Sequence, residues 1–387
     1  MDVFFVILIT TILYALIVYS VKNVSRINGA FLPWGLFIMH HILTAVYLIA
    51  SYKSSTDSVR YYRVSSGSES WIDLFGTGTP FMDFISWPFT HALGLSYYSS
   101  MYLFSFFGLV GIYLLYVTAK ENINPQPLVF RKFGLTELVF LLPNLHFWSC
   151  SLGKGSVMTL GIGMVFWGLS RFNRRMFVLI LGSLLIYFIR PHILFAIAVG
   201  AVFGLLFSGA GIKPVLKWGM MFLALVLFYF ISDDVVEFAD VGSLNILDSD
   251  ASSNFHQRVE SLQRANSGID INSYSLPMKL FTFWFRPLFF DSPGFMGYLS
   301  SFENLFYIFM FVILIKNGVK TWSLWNGWFK ICFFVFLFGS LSLAQASGNL
   351  GIAMRQKAQM MPSFFLVFCK VASLSERKKT ASFAHKS

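Results

Sequence analysis

Charged residues are scarce in this chain of 387 residues, at 12% of the total, whereas soluble domains carry about 25%. Cysteine is scarcer still: Cys150, Cys332 and Cys369 all lie in or beside apolar runs. Their spacing matches neither a disulfide framework nor a metal site, so we interpret them as small buried hydrophobic side chains. A cleavable signal peptide is not expected either, because the first apolar run, 3–21, is long enough to span a membrane and is followed by basic residues.

What the chain has in abundance is apolar and aromatic surface. Hydrophobic residues make up 56% of it and phenylalanine alone contributes 46 positions, which is typical of lipid-facing helices. We predict an all-α integral membrane protein with a single polytopic domain over 1–373 and about eleven transmembrane helices, several of them short or broken. The predicted spans are 3–21, 32–52, 97–118, 134–150, 155–170, 176–189, 192–208, 214–232, 302–315, 328–346 and 358–373.

The net charge of +11 is distributed as a topology signal. Alternate loops with their adjoining span ends, together with the C-terminal segment from Lys370 onward and its basic tail 374–387, hold 18 of the 29 lysines and arginines with only three acidic residues. The positive-inside rule assigns these segments to the cytoplasm, so we expect the N-terminus outside the membrane and the C-terminus in the cytoplasm. Two sizeable outer loops, about 53–96 and 233–301, follow from this assignment. The basic excess therefore gives no reason to expect a nucleic acid as a partner.

The first outer loop carries a polar and aromatic cluster just after the second span. Asp57 is a candidate general base for a sugar hydroxyl, and Tyr61 and Tyr62 are candidates to stack on a pyranose face. Arg60 or Arg63 is suited to hold a phosphate. The competing interpretation is an ordinary solvated loop with interfacial tyrosines.

Two further basic positions stand at predicted span ends. Lys154 lies in a glycine-rich turn that is not a phosphate-binding P-loop, because its flanking elements are membrane spans. That turn is either an anion cradle or a tight turn with a snorkelling lysine. Arg190, between two apolar runs, has to meet an anion, a carbonyl or water. The following Pro191 frees backbone groups for other partners, and His192 is suited to exchange a proton near neutral pH.

Three more arginines fall on the predicted outer side. Arg286 precedes a proline in an aromatic context, Arg258 lies on a short amphipathic piece, and Arg355 leads into the last span with Lys357 alongside. An arginine fork offers paired donors in fixed geometry, which suits a diphosphate. Several such residues on one side fit a diphosphate-linked substrate better than a small metabolite.

A histidine pair, His40 and His41, lies inside the second predicted span. No cysteine, aspartate or glutamate neighbours it in sequence, so an interhelical hydrogen-bonding role is favoured over a metal site. We expect no metal and no cofactor.

Taken together, these residues resemble the multi-pass polymerases of bacterial polysaccharide biosynthesis, the Wzy and EpsG type. The likeness covers most of the chain in layout, with short spans, an early outer loop and a late, large one. Gly155 is a departure, since an acidic residue is expected after the lysine. The local matches are 57–61, 151–154, Arg190-Pro191, Glu303-Asn304 and 349–355.

The resemblance implies a glycosyltransferase that polymerises undecaprenyl-diphosphate-linked oligosaccharide repeats at the outer face of the cytoplasmic membrane, in O-antigen, capsule or exopolysaccharide synthesis. The lipid bilayer and the polyprenyl-diphosphate-linked glycan are its expected partners, with chain-length-regulator and flippase proteins as further candidates. Asp57 is the first candidate base, followed by His192 and Glu303. The candidate cations for the diphosphate are Arg190, Arg286, Arg355, Lys154 and Arg258.

Other functions fit parts of the same pattern. A membrane-embedded single-sugar glycosyltransferase or an O-antigen ligase would use similar residues, and product length separates them from a polymerase. A flippase or transporter of the lipid-linked repeat would need polar residues along a path through the bilayer. The sequence shows no internal repeat of the kind on which many transporters are built. A membrane O-acyltransferase would need a histidine near the bilayer centre.

Overall fold

The computed structural model describes residues 2–25, 31–53, 56–129, 133–208, 219, 222, 269, 271–291, 295–347 and 349–384. Within these ranges the chain is overwhelmingly α-helical, as expected, and its one β-ladder pairs Leu128–Val129 with Phe133–Gly134 in antiparallel register. The chain divides into two compact units, residues 1–190 (unit 1) and 191–387 (unit 2).

Unit 1 consists of long apolar helices joined by short helical segments. A 3₁₀ turn at Ile72–Leu74 and a π-helical turn at Pro88–Ala92 flank its fourth helix. The helices are α1 Asp2–Ser25, α2 Phe31–Lys53, α3 Asp57–Gly67, α4 Thr79–Trp87, α5 Tyr97–Asn122, α6 Leu135–Phe140, α7 Pro143–Phe147, α8 Lys154–Ser170 and α9 Phe172–Ile189.

Helix α5 is the central element of unit 1, with 83% of its apolar window buried inside the protein, against 17% for α1. Close packing of α5 on α8 depends on glycine. A side chain at Gly111 would collide with the backbone of Thr159, and one at Gly163 would collide with the backbone of Gly111. Small residues at such contacts let helix backbones approach closely, which is how membrane helices gain packing energy without a hydrophobic driving force.

Charged groups in unit 1 collect at the two opposite ends of α5. At its Tyr97 end, the Asp2 carboxylate accepts hydrogen bonds from the backbone N–H of Ser96 (3.0 Å) and the hydroxyl of Ser99 (2.7 Å). At the other end, Lys120 donates to Glu137 at 2.9 Å. This separation agrees with the predicted alternation of loops, although which end faces the cytoplasm stays a prediction.

The predicted first outer loop, 53–96, contains ordered helices in its described part. Trp71 stacks on the rings of Phe84 (4.8 Å between centroids) and Trp87 (5.9 Å), and its Nε1–H donates to the Phe84 carbonyl at 2.9 Å. These contacts fix the 3₁₀ turn against α4, so this segment is a small folded layer over the end of the span bundle.

Unit 2 is built around two helix pairs. Gly200 and Gly204 lie on one face of the first helix because they are four residues apart, and a side chain at either position would collide with Val335 or Ile331 on the facing helix. Its helices are α10 Pro191–Leu206, α11 Leu276–Phe285, α12 Phe295–Thr321, α13 Gly327–Ala346 and α14 Leu350–Ala384.

Seven helices in the described residues are long and apolar enough to cross a membrane, which supports the membrane assignment. They are Asp2–Ser25, Leu32–Ser51, Tyr97–Asn122, Phe172–Ile189, Gly297–Leu324, Gly327–Gln345 and Leu350–Arg377, and two shorter apolar stretches are Leu135–Phe147 and Pro191–Leu206. The total of eleven spans is not confirmed. The predicted span 214–232 and most of the loop 233–301 lie outside the described residues.

The predicted span 134–150 is interrupted. Pro143 begins α7, and Leu142 before it has extended backbone angles, as expected for a residue that precedes proline. The apolar run was correctly located, but it forms two short helices, α6 and α7, and no continuous one.

Candidate functional site

A buried carboxylate, that of Asp83, lies in unit 1 on the side where α5 begins with Tyr97. Asp83 projects from the buried face of α4, and its side chain is only 4% exposed. Its Oδ2 is 3.4 Å from the guanidinium of Arg60 on α3, whose side chain is 51% exposed. Its Oδ1 is buried and accepts no hydrogen bond from the described residues. Asp83 therefore combines burial with an incomplete set of partners.

The charge on Asp83 is poorly solvated. Burial raises the pKa of its carboxyl above the ordinary value of 3.8, although Arg60 and Lys154 act in the opposite direction. Desolvation outweighs the two cations because one of them is half in solvent and makes only a long contact. A carboxylate with a raised pKa is a stronger base than an ordinary aspartate.

Lys154 completes this group of charges as the first residue of α8. Its Nζ lies beside Gly78, where an added Cβ would be 3.7 Å from it. Gly78 has a positive φ of 74°, which favours glycine, and its N–H donates to the carbonyl of Phe188 at 2.7 Å. The turn before α4 is thus tied to the end of α9 on one side and covered by Lys154 on the other. We call Arg60, Asp83 and Lys154 the Asp83 cluster.

The two predicted sugar-stacking tyrosines occupy different environments. Tyr61 is 4% exposed, lies against Gly153 and has the Arg60 guanidinium 5.5 Å from its ring centre. No ring face of Tyr61 is open to a sugar. Tyr62 is half-buried and meets Tyr97 edge to face, with ring centres 5.6 Å apart. The stacking prediction is therefore better placed on Tyr62.

The predicted base Asp57 is the exposed first residue of α3. A position at a helix N-terminus is favourable for a carboxylate because of the helix dipole, so a structural reason for Asp57 exists beside the functional one. The structure brings Lys154, predicted to bind diphosphate, and Arg60 to Asp83.

Arg190 and His192 belong to different units. Arg190 directly follows α9 and is buried, and its backbone N–H donates to the Ile186 carbonyl at 2.7 Å. His192 lies in the first turn of α10, also buried. Their predicted roles stay predictions.

The hydrogen-bonding role predicted for His40 is confirmed. Its Nδ1 is 2.9 Å from Nδ1 of His146 on α7, and its Nε2 is 3.0 Å from the Ser105 carbonyl on α5. His41 stacks on Phe37 with ring centres 3.9 Å apart. Among the described residues, no group of three or more histidine, cysteine, aspartate or glutamate side chains is placed to hold a metal.

Unit 2 contains a second polar cluster, centred on a buried lysine of α14. Lys357 is 1% exposed. Its ammonium donates to Asn304 Oδ1 (2.6 Å) and to the backbone carbonyls of Trp284 (3.2 Å) and Arg286 (3.3 Å). An ammonium has three donors, so all three are used. The negative charge of Glu303 also acts on it. We call Lys357, Asn304 and Glu303 the Lys357 cluster.

The remaining predicted residues of unit 2 surround that cluster. Glu303, one of the predicted bases, is buried and accepts a hydrogen bond from the Tyr307 hydroxyl four residues along α12. Asn304 donates to the Pro287 carbonyl at 2.7 Å. These contacts join α12, α14 and the turn that follows α11 into one polar core.

Arg286 forms an ion pair with Asp291, with its Nε 3.1 and 3.0 Å from the two carboxylate oxygens. It also donates to the Tyr274 hydroxyl at 3.2 Å. The hydrogen bonds to Asp291 raise the pKa of the Arg286 guanidinium above its ordinary value. A diphosphate would have to compete with Asp291 for this guanidinium, which weakens the prediction that Arg286 binds the substrate.

Arg355 is half-buried near the start of α14, whose first turn is capped by Asn349: its Oδ1 accepts from the Gly351 N–H at 2.8 Å. Arg258 lies outside the described residues. The role of either residue as a diphosphate ligand is not tested by these contacts.

Sequence reasoning missed three residues that the structure makes prominent: Asp83, Asp291 and Lys357. Asp83 has a local signal, since it falls on the apolar face of the segment Thr79–Trp87 and would be buried there once that segment is helical. Lys357 stands beside Arg355, just before the predicted span 358–373, and no local signal indicates its burial, because its partners are more than 50 residues away.

Comparisons with protein-family models, with curated proteins and with solved structures find no match to this chain.

Proposed function

We propose that this chain is a membrane glycosyltransferase that polymerises undecaprenyl-diphosphate-linked oligosaccharide repeats at the outer face of a bacterial cytoplasmic membrane. The observation that carries the proposal is the Asp83 cluster: a buried, basic carboxylate beside two cations at one end of an apolar helix bundle. That end is the one that the charge pattern predicts to face outside.

Asp83 supplies the base in this proposal. The oxygen of an acceptor hydroxyl forms a bond to the anomeric carbon of the donor sugar, while the bond between that carbon and the diphosphate oxygen breaks. The hydroxyl proton goes to the Asp83 carboxylate, and the bonding electron pair leaves with the diphosphate, which stays attached to its polyprenyl chain. Water then takes the proton from Asp83. The raised pKa suits this role because a general base works best when its pKa lies near the operating pH, and the shift is in that direction.

Arg60 and Lys154 supply positive charge for the leaving group. Developing charge on a diphosphate oxygen is stabilised by fixed cations at a water-poor site. Arg60 is half-exposed and makes only one long contact with Asp83, so its remaining donors can meet a phosphate. Arg190 remains a further candidate within unit 1, whereas Arg286 is engaged by Asp291.

Deletion of the gene in its host, with rescue from a plasmid, tests the proposal. Surface polysaccharide is separated on a gel after rescue with wild type, Asp83→Asn and Asp73→Asn. Asp73 is an exposed carboxylate of the same segment and serves as the matched control. We expect Asp83→Asn to lose the long ladder while single repeats are still displayed, and Asp73→Asn to restore it. A full ladder from Asp83→Asn at equal protein level would overturn the proposal.

The same cluster also suits a single-sugar glycosyltransferase, because base and leaving-group chemistry would be identical. The gel separates the two functions. Loss of a polymer ladder indicates a polymerase, whereas a ladder whose bands all shift by one sugar indicates a single-sugar transferase.

A further inference from the structure

A cavity of about 480 Å³ opens on the other side of α3 from the buried Tyr61. It lies within unit 1, between the end of α2 and the first turn of α5. Its lining residues are Ser51, Val59, Tyr62, Arg63, Ser66 and Tyr97. The volume falls within the roughly 300–1,000 Å³ that is usual for small-molecule sites.

The α3 residues of this wall share one helix face. Val59, Tyr62, Arg63 and Ser66 follow the spacing i, i+3, i+4 and i+7 that brings side chains together on a helix. The opposite face is packed inward: the Ser65 hydroxyl accepts from Thr90 at 2.8 Å in the π-helical turn. Helix α3 therefore offers the cavity a face of its own, with its inner side fixed by packing.

Arg63 gives the cavity a positive charge. Its side chain is exposed, and the part of the chain that the structure describes holds no acidic group within ion-pair distance of it. A guanidinium without a carboxylate is well suited to bind one, or a phosphate, through two parallel N–H donors.

The rest of the wall is aromatic and rich in hydroxyl groups. The Tyr97 hydroxyl hydrogen-bonds Ser58 at 2.9 Å, and the edge-to-face contact with Tyr62 fixes both rings. Phenol rings and hydroxyls together match a sugar, which has apolar C–H faces and hydroxyl edges. Because the cation and the two rings line a single cavity, one ligand can use all of them.

We propose that this cavity binds a saccharide unit that carries a carboxylate or a phosphate, with Arg63 pairing to the anion and Tyr62 and Tyr97 contacting the sugar. Its use as the acceptor subsite of the transfer rests on the proposed function, whereas the binding itself does not. The cavity thus defines the substrate class as an acidic or phosphorylated saccharide.

Binding to the purified full-length chain in phosphatidylcholine nanodiscs tests this inference. Glucuronic acid, glucose 1-phosphate, glucose and inorganic phosphate are titrated separately, and Kd values are measured by saturation-transfer NMR. We expect the two anionic sugars to bind roughly tenfold or more tightly than glucose and inorganic phosphate, since an ionic hydrogen bond adds that much affinity. Arg63→Gln should reduce them to the level of glucose, and Arg63→Lys should be intermediate.

Arg174→Gln is the matched control, because Arg174 is exposed and lines a different, smaller cavity of about 280 Å³. It should leave all Kd values unchanged. Equal affinity for glucose and glucuronic acid, or unchanged affinity in Arg63→Gln, would overturn the inference. Inorganic phosphate binding as tightly as glucose 1-phosphate would also overturn it, by indicating a bare anion site. Loss of sugar binding in phosphatidylglycerol nanodiscs would indicate a lipid headgroup in its place.

The two proposals fail separately. A full polymer ladder from Asp83→Asn with Arg63-dependent sugar binding would remove the polymerase and leave the saccharide cavity. A lost ladder in Asp83→Asn with no Arg63-dependent binding would support the polymerase and overturn the saccharide cavity.

Discussion

The Asp83 cluster and the Lys357 cluster are both polar groups buried in an apolar chain, but they satisfy their charges differently. Lys357 is almost fully buried and uses each of its three donors on a fixed oxygen within 3.3 Å. Asp83 has one contact of 3.4 Å, one oxygen without a hydrogen bond from the described residues, and a cation that is half in solvent.

This difference separates a structural role from a reactive one. A buried charge with a complete set of partners adds fixed contacts and has nothing left for a ligand. A buried carboxylate with an unused oxygen bears an energetic cost that a bound substrate can relieve. We therefore expect substitutions in the Lys357 cluster to change stability and substitutions in the Asp83 cluster to change activity.

The largest effect should come from Lys357→Met. Removing the ammonium leaves the buried Asn304 oxygen and two carbonyls without a donor, and leaves Glu303 without its neighbouring cation. We expect a loss of about 3–5 kcal/mol in the free energy of unfolding, measured by denaturant titration in detergent. Lys316→Met, an exposed lysine of α12, is the control. Equal stability of the two variants would contradict the structural role.

Arg175→Gln should be the next most damaging change. Arg175 is buried at the opposite end of unit 1, where it pairs with Glu121 at 2.5 and 2.7 Å and lies 4.0 Å from the Trp167 ring centre. Its loss leaves a buried carboxylate short of its main partner, which costs about 3 kcal/mol. The same unfolding assay measures it, with the exposed Arg174→Gln as the control. A change below about 1 kcal/mol would show that the pair is not needed.

Asp83→Asn should alter the pH dependence of stability. Because the carboxyl pKa is raised in the folded protein, the folded state binds the proton more tightly than the unfolded state does. The contribution of Asp83 to stability is therefore fully present below pH 3.8 and is lost as the pH rises through the raised pKa. The free energies of unfolding of wild type and Asp83→Asn should diverge as the pH rises across this window, because wild type loses stability there and the variant does not. Parallel curves would contradict a raised pKa.

The smallest change in stability should follow Arg60→Gln. A half-exposed arginine with one long contact contributes less than about 1 kcal/mol. The polymer ladder should nevertheless shorten markedly, because Arg60 is proposed to stabilise the leaving group. A stable Arg60→Gln variant with a full ladder would show that Arg60 does not act in the site. An unstable variant would indicate that Arg60 has a structural role.

The long apolar helices were predictable from sequence, and the buried partners were not. The predicted span 97–118 corresponds to α5, and the predicted span 3–21 lies within α1, because runs of apolar residues in a membrane protein determine helices locally. The break at Leu142 was missed, although Pro143 marks it. Arg286 was predicted to bind a diphosphate, whereas in the structure its partner is the carboxylate of Asp291, five residues further along the chain.

The failure to recognise Asp83 has a similar cause. In sequence it is one of several carboxylates in a polar loop, and only the formation of α4 buries it. Lys154 and Arg60 reach it from 71 and 23 residues away along the chain, and such distances carry no periodic signal. Burial and charge pairing across elements are therefore the parts of the site that required the structure.

The lysine in α14 also bears on how the chain enters the membrane. The 18-residue apolar window within Leu350–Arg377 has a mean hydropathy of 1.3, the lowest value among the seven candidate spans of the described residues. A lysine in such a segment opposes insertion when the helix meets lipid alone, at a cost that reaches about 2.5–3.5 kcal/mol at the helix centre. The oxygens that receive its ammonium belong to Trp284, Arg286 and Asn304, all synthesised earlier. Insertion of α14 is thus coupled to the presence of α11 and α12. These helices are already synthesised when α14 leaves the ribosome, so the partners of Lys357 precede it into the membrane.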